Sequence, residues 1–148
     1  MLRRSLRSAS LVALIAASGC HSATTAPESD LSSARSRWAL SQPASYQFTL
    51  QRSCECGPSI TRAVTVVVRN GVIAGATYVD TGADAVAGIA FSVDGLFGVI
   101  DDAIARKAAV VAARYDETRG FPVSIFIDQN AVTVDDEFSI VISNFQAP

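Results

Sequence analysis

The sequence contains a single histidine, His21, which lies near the N-terminus and outside the region that we expect to fold. Histidine is the most frequent general acid or base in enzymes, so the folded part lacks the usual proton-transfer partner. That part also has no Gly-x-Ser-x-Gly motif, no glycine-rich phosphate loop and no cysteine–histidine pair. We therefore expect no catalytic residues and no cofactor, and a protein that is not an enzyme.

Positive charge is scarce as well. The 148 residues include 12 basic and 14 acidic side chains, which gives a formal net charge of −2 at pH 7. Proteins that bind nucleic acid carry clusters of lysine and arginine, and this chain has no such cluster in its folded part. We expect no nucleic-acid partner.

No hydrophobic run is long enough to span a membrane. The longest run at the N-terminus is Leu11–Ala17, whereas a membrane-spanning helix needs about 20 apolar residues. Three arginines precede the run and small residues follow it, which is the pattern of a secretory signal peptide. The residues Ala17-Ser18-Gly19-Cys20 resemble a bacterial lipobox, at which the cysteine is lipidated and becomes the new N-terminus. The sequence thus predicts a signal peptide over 1–19 and lipid on Cys20.

Cleavage before Cys20 leaves 129 residues, enough for one domain with its own core. It removes three basic residues, so nine remain against 14 acidic ones and the formal charge falls to −5. Attachment to the membrane therefore depends on lipid, and residues 20–26 are expected to be a tether. The protein should be exported and anchored to the cell envelope. In a Gram-negative cell, analogy with other bacterial lipoproteins implies the outer membrane, because His21 stands where those retained at the inner membrane have aspartate.

The two remaining cysteines, Cys54 and Cys56, form an even pair in an exported chain, which favours a disulfide. In a flat strand the Cα atoms of such a pair lie near the upper limit for a disulfide, about 6.8 Å, so closure requires a bend. Gly57-Pro58 can supply it. A redox-active pair and a soft-metal site are the alternatives, although Glu55 opposes a thiolate and a closed metal site needs two more ligands.

The acidic stretch from Asp128 to Glu137 invites a comparison with calcium loops. Asp128 and Asn130 fit the first and third positions of an EF-hand, but Thr133 stands where glycine is required and Ser139 where the bidentate glutamate is required. We therefore expect a solvated loop and assign no metal ligands.

Hydrophobic periodicity predicts two helices and six strands. Helical spacing extends from Pro27 to Leu40 and again from Ser92 to Lys107, whereas apolar residues alternate in the strands. Asn70-Gly71 between two strands is a strong hairpin signal. The six expected strands begin near Tyr46, Val64, Val72, Val110, Phe121 and Phe138.

The element order is therefore α-β-β-β-α-β-β-β. Short turns join the strands within each set, which favours antiparallel pairing because parallel strands need long crossovers. We expect residues 27–148 to form one α+β domain, in which an antiparallel sheet of about six strands has two helices packed on one face. The aromatic residues at periodic positions, Trp38 among them, are expected to be core.

Several motifs together resemble a family of bacterial lipoproteins with a domain of unknown function. They are Tyr46-Gln47-Phe48-Thr49, Arg52-Ser53-Cys54-Glu55-Cys56, Ala76-Thr77-Tyr78-Val79-Asp80, Asp94-Gly95-Leu96-Phe97, Tyr115-Asp116, Gly120-Phe121-Pro122 and Ile125-Phe126-Ile127-Asp128. The Arg-Ser-Cys-x-Cys motif is the most specific of them. The resemblance spans Trp38 to Phe145 and implies a lipoprotein, but it transfers no activity.

The sequence thus predicts a lipid-anchored envelope protein that acts as a non-enzymatic binding or structural module, with an envelope protein as its partner. Cys54 and Cys56 would form a structural disulfide. The alternatives are a thiol–disulfide redox protein that uses the same pair and a metal-handling lipoprotein.

Overall fold

The computed structural model describes residues 26–148. The expected signal peptide, the expected lipidation site Cys20 and nearly all of the expected tether lie outside these residues. Within them, no helix is long and apolar enough to cross a membrane.

Two long helices and one short one occur in this region: α1 (Ala26–Ser41), α2 (Pro58–Thr61) and α3 (Val93–Ala105). Ser92 caps α3, because its side chain accepts a hydrogen bond from the backbone N–H of Gly95 at 3.1 Å. The short helix α2 was not expected. Pro58 is its first residue, a position at which the backbone N–H has no partner within the helix, so the missing N–H of proline costs nothing. The sequence predicted only a bend at Gly57-Pro58, whereas the chain makes one helical turn there.

Six strands form one antiparallel sheet: β1 (Ser45–Ser53), β2 (Val64–Arg69), β3 (Val72–Tyr78), β4 (Val110–Tyr115), β5 (Pro122–Asp128) and β6 (Phe138–Gln146). Their order across the sheet is β3-β2-β1-β6-β5-β4. Each set of three strands is a meander, and the first strand of one set pairs with the last strand of the other. The predicted α+β class, the antiparallel sheet and the order of the strands and long helices are confirmed.

The turn between β2 and β3 has the geometry that its sequence predicted. Asn70 and Gly71 have φ angles of 50° and 77°, and both central positions of a type I′ turn require positive φ. The twist of this turn matches that of the two strands, and Arg69 therefore pairs with Val72 directly across it.

The core lies between the sheet and the elements on one of its faces. Alternate residues in the middle of the central strands are buried, including Phe48 and Leu50 in β1 and Ile140 and Ile142 in β6. The buried residues of α1 and α3 join the same cluster. Trp38 is at its centre, with its ring edge-on to Tyr46 and Phe145 at centroid distances of 5.4 and 6.1 Å. The expectation that Trp38 belongs to the core is confirmed.

The connection from β3 to α3 covers the part of this face over the first three strands. Its Ile89 is buried in the core. The Tyr78 hydroxyl donates to the carbonyl of Ser59 at 2.8 Å and accepts from the N–H of Val86 at 3.3 Å. This tyrosine thus holds both α2 and the loop to the end of β3.

Candidate functional site

The second face of the sheet carries no helix or loop from residues 26–148. The strand alternation that buries one set of side chains turns the other set outward, and this outward set is mostly Ser, Thr and Gln in the two central strands. We call this surface the open face. Polar side chains of this size can be solvated or can donate and accept hydrogen bonds to a partner.

Three apolar side chains interrupt the polar surface on one half of the open face. Val110, Phe126 and Val141 are 43%, 39% and 48% exposed. Phe126 pairs with Ser139 and Val141 pairs with Ser124, so Phe126 and Val141 are diagonal neighbours on β5 and β6. We refer to these three residues as the open-face patch. Scattered exposed valines need no explanation, whereas adjacent apolar side chains on an open sheet are a candidate contact surface.

The disulfide lies beside this patch, directly after β1. The Sγ atoms of Cys54 and Cys56 are 2.07 Å apart and their Cα atoms are 5.2 Å apart. The N–H of Cys56 donates to the carbonyl oxygen of Cys54 at 2.7 Å, which closes a tight turn. This turn is the bend that the pair required, because it brings the Cα atoms well inside the limit of about 6.8 Å.

Between the disulfide turn and the patch is a shallow depression of about 240 Å³. Glu55 and Glu137 line it together with Cys54 and the ring of Phe126. Neither carboxylate hydrogen-bonds or ion-pairs with another group in the described part of the chain. Two free carboxylates and an aromatic face together suit a positively charged side chain.

The adjacent carboxylates Asp101 and Asp102 of α3 pair with separate partners, because neighbouring helix residues project about 100° apart. Asp101 accepts from Arg35 of α1 at 2.6 Å, and Asp102 pairs with Arg106 at 2.9 Å. They do not converge on one site, and each pair is exposed and contributes little to stability.

The acidic stretch after β5 forms a loop with local hydrogen bonds. The carboxylate of Asp128 accepts from the N–H of Asn130 at 3.0 Å, and Asn130 in turn accepts from the N–H of Val132 at 3.1 Å. Within residues 26–148, no group of three or more His, Cys, Asp and Glu side chains is arranged to hold a metal ion.

A second loop is fixed by Arg62, which follows α2. Its guanidinium donates two hydrogen bonds to the carboxylate of Asp80, at 3.0 and 2.5 Å, and its Cζ lies 4.0 Å from the ring centre of Tyr78. The hydrogen bonds from Arg62 lower the pKa of Asp80. This pair fastens the end of β3 to the segment that follows the disulfide turn.

Sequence reasoning missed both Phe126 and the depression. The alternation of β5 assigned Phe121, Val123, Ile125 and Ile127 to one face, and Phe126 stands at the opposite parity. An aromatic residue at an outward position of a strand was the available signal. The proximity of Glu55 to Glu137 had no signal, because it depends on the pairing of β1 with β6, whose partners such as Ser53 and Ser139 are far apart in the sequence.

Fold and site together define an α+β protein with a half-covered antiparallel sheet and a disulfide turn at one sheet end. A family of unknown function, DUF6174, matches residues 30–147, and the chain belongs to that family. The match covers nearly all of the folded region. Neither curated proteins nor solved structures gave a significant match.

Proposed function

We propose that this protein is a lipid-anchored envelope lipoprotein that binds another envelope protein through the open face of its sheet, without catalysing a reaction. The observation that carries the proposal is the open-face patch, where Phe126 and Val141 lie together on an uncovered sheet. An interface has an apolar centre within a polar rim, and the Ser, Thr and Gln residues around the patch supply that rim.

The charges around the patch specify the partner further. Glu55 and Glu137 flank Phe126 at the end of the sheet where β1 ends and β6 begins. A lysine or arginine side chain of the partner fits there, because it would meet two carboxylates and the face of an aromatic ring. The partner is therefore a protein that presents an apolar side chain next to a basic one.

The anchor follows from the N-terminal sequence. The lipobox-like Ala17-Ser18-Gly19-Cys20 supports cleavage and acylation at Cys20, and bacterial lipoproteins of this type carry more than one acyl chain, which makes attachment durable. Anchoring also restricts the domain to the membrane surface, which raises its effective concentration toward a partner held there.

A photocrosslinking experiment tests the binding surface. In the lipidated, full-length protein, a benzoylphenylalanine is placed at Phe126 or Val141, and in control variants at Leu40 of α1 or Val132 of the β5–β6 loop, which are exposed elsewhere. We expect crosslinks to a membrane protein only from Phe126 and Val141. Glu55→Gln with Glu137→Gln should weaken them. Equal crosslinking at all four positions, or none at Phe126 and Val141, would refute the proposed surface.

The anchor is tested separately by Cys20→Ser. The variant should lose signal cleavage at that point and should no longer partition into the detergent phase, because the acyl groups require the sulfur of Cys20. The conservative change Ser18→Ala, which keeps a small residue before the cysteine, serves as the control. A Cys20→Ser protein that partitions like the wild type would contradict the anchor.

Thiol exchange at Cys54 and Cys56 is the second candidate function. The observation that favours it is exposure, since Cys56 lies at the surface, where a partner thiol can reach it. Glu55 and Glu137 oppose it, because nearby negative charge disfavours the thiolate. A redox role would require the pair to cycle between dithiol and disulfide in the envelope.

A further inference from the structure

One charged residue lies on the covered face of the sheet. Alternation along β1 places Arg52 on the same side as the buried Phe48 and Leu50, and it pairs with the buried Ile140 of β6. Its guanidinium lies over the ring of Phe138, with 4.4 Å between Cζ and the ring centre. Arg52 belongs to the Arg-Ser-Cys-x-Cys motif, so the disulfide turn begins two residues after it.

Arg52 is half-buried, and its guanidinium has no hydrogen-bonding partner among the described residues. Its Nε atom is buried and has no acceptor, and no group within residues 26–148 forms a hydrogen bond or ion pair with Arg52. A buried donor without an acceptor costs free energy, because it has given up water without replacement. Stacking on Phe138 engages the face of the guanidinium and leaves its N–H edges available.

A cavity of about 200 Å³ lies in front of Arg52, between the sheet and α3. Six of the nine residues that line it are apolar, namely Phe91, Val99, Ala103, Ile127, Phe138 and Ile140, and about half of its surface is apolar. Gln129 adds a polar amide. The one carboxylate in the wall, Asp102, is already paired with Arg106 at 2.9 Å.

We propose that this cavity binds a small monocarboxylate with an apolar body, whose carboxylate is held by the free Nε and Nη edge of Arg52. The fork of an arginine matches a carboxylate in a bidentate geometry, and such pairs are among the stronger hydrogen bonds in proteins. The volume corresponds to about seven liquid water molecules, which suits a single-ring or short aliphatic acid.

The wall selects against a doubly charged anion. Phosphate would place a second negative charge among aromatic and aliphatic side chains and near Asp102, and Arg52 is the one cation among the residues that line the cavity. A carboxylate has one charge, satisfied by Arg52, and its hydrocarbon part gains from contact with the apolar wall. The site lies on the opposite side of the sheet from the open-face patch, so it can be occupied independently of the proposed partner.

Calorimetric titration of the full-length protein in detergent with sodium benzoate tests the proposal. We expect saturable binding that weakens at least tenfold in Arg52→Gln and is unchanged in Arg114→Gln, a matched variant at an exposed arginine of β4. Benzyl alcohol, which has the ring without the charge, should bind at least tenfold more weakly. An acetylated dipeptide ending in phenylalanine tests whether a protein C-terminus can supply the same carboxylate.

Val99→Phe keeps Arg52 but fills the cavity, and it should abolish benzoate binding even if Arg52→Gln fails to fold. The proposed site would be contradicted if titration with benzoate gave no saturable heat. It would also be contradicted if benzoate bound to Arg52→Gln or Val99→Phe as tightly as to the wild type. Inorganic phosphate that binds as tightly as benzoate would overturn the ligand class. A dipeptide that binds more tightly than benzoate would support the carboxylate site and identify a chain terminus as its source.

Discussion

Gly120, in the turn between β4 and β5, lies directly against the backbone of Ala34 in α1. A Cβ atom at Gly120 would collide with the carbonyl oxygen of Ala34 and press on the side chain of Arg37. Gly120 also has a φ of 82°, a conformation that glycine adopts without strain. This contact allows α1 to approach the sheet closely enough for Trp38 to reach Phe121.

Gly120→Ala should therefore destabilise the protein through both strain and collision. The strain of positive φ costs on the order of 1–3 kcal/mol, and the displacement of α1 adds to it. Gly71→Ala is the matched control, because Gly71 has a φ of 77° but nothing within 4 Å of its Cβ position. Chemical denaturation of both variants separates the two effects. Equal losses of stability would show that the Ala34 contact contributes nothing.

The sequence predicted the elements of the fold better than their arrangement. Local signals were sufficient for the strands and long helices: alternation in β2 and β5, Asn70-Gly71 at the hairpin, and Ser92 at the start of α3. The pairing of β1 with β6 has no local signal, because it depends on how the two meanders meet. The residues that share a site across this pairing, such as Glu55 and Glu137, could not be grouped from the sequence.

Arg52 illustrates a second limit of sequence reasoning. The motif around it draws attention to its cysteines, and Arg52 stands on the inward side of β1 with Phe48 and Leu50. Whether an inward arginine meets a carboxylate, water or an open cavity depends on α3, which lies about 50 residues further along the chain. The sequence therefore predicted the disulfide turn but not the cavity beside it.

Trp38→Ala should cost about 3–5 kcal/mol of unfolding free energy, since it removes a fully buried ring from an aromatic cluster. Trp38→Phe should cost less, because it retains a ring and removes an indole N–H that is buried without an acceptor. Leu40→Ala, at an exposed position on the same helix, should change stability by less than about 0.5 kcal/mol. Thermal and chemical denaturation measure all three. A Trp38→Ala protein as stable as Leu40→Ala would contradict the packing.

Tyr115 should make stability fall at alkaline pH. Burial, and secondarily the charge of Asp30, raises the pKa of Tyr115 from 10.0 to about 12. Between pH 10 and about 12, the folded state therefore retains the phenolic proton of Tyr115 while the unfolded state releases it. The contribution of Tyr115 to the free energy of unfolding is thus complete below pH 10 and is lost between pH 10 and about 12. Tyr115→Phe should reduce the loss of stability across this range. Denaturation midpoints on both sides of pH 10 provide the measurement, and an identical decline in the variant would rule out Tyr115 as a source.

The double change Cys54→Ser with Cys56→Ser distinguishes a structural disulfide from a reactive one. A structural bond should contribute no more than about 2 kcal/mol, because it closes a very short loop and removes little entropy from the unfolded chain. The variant should then retain the crosslinks from Phe126. If the pair is a redox centre, the same variant should fold normally and lose its function.

Thiol trapping in the envelope supplies the second measurement. Protein collected without reductant should show Cys54 and Cys56 joined within one peptide by mass spectrometry and should resist alkylation. Glu55→Gln keeps both cysteines and removes the adjacent negative charge, so it tests whether that charge suppresses thiolate formation. Cysteines that are both alkylated without reductant would refute the structural disulfide, and metal released together with them would favour a metal-handling role.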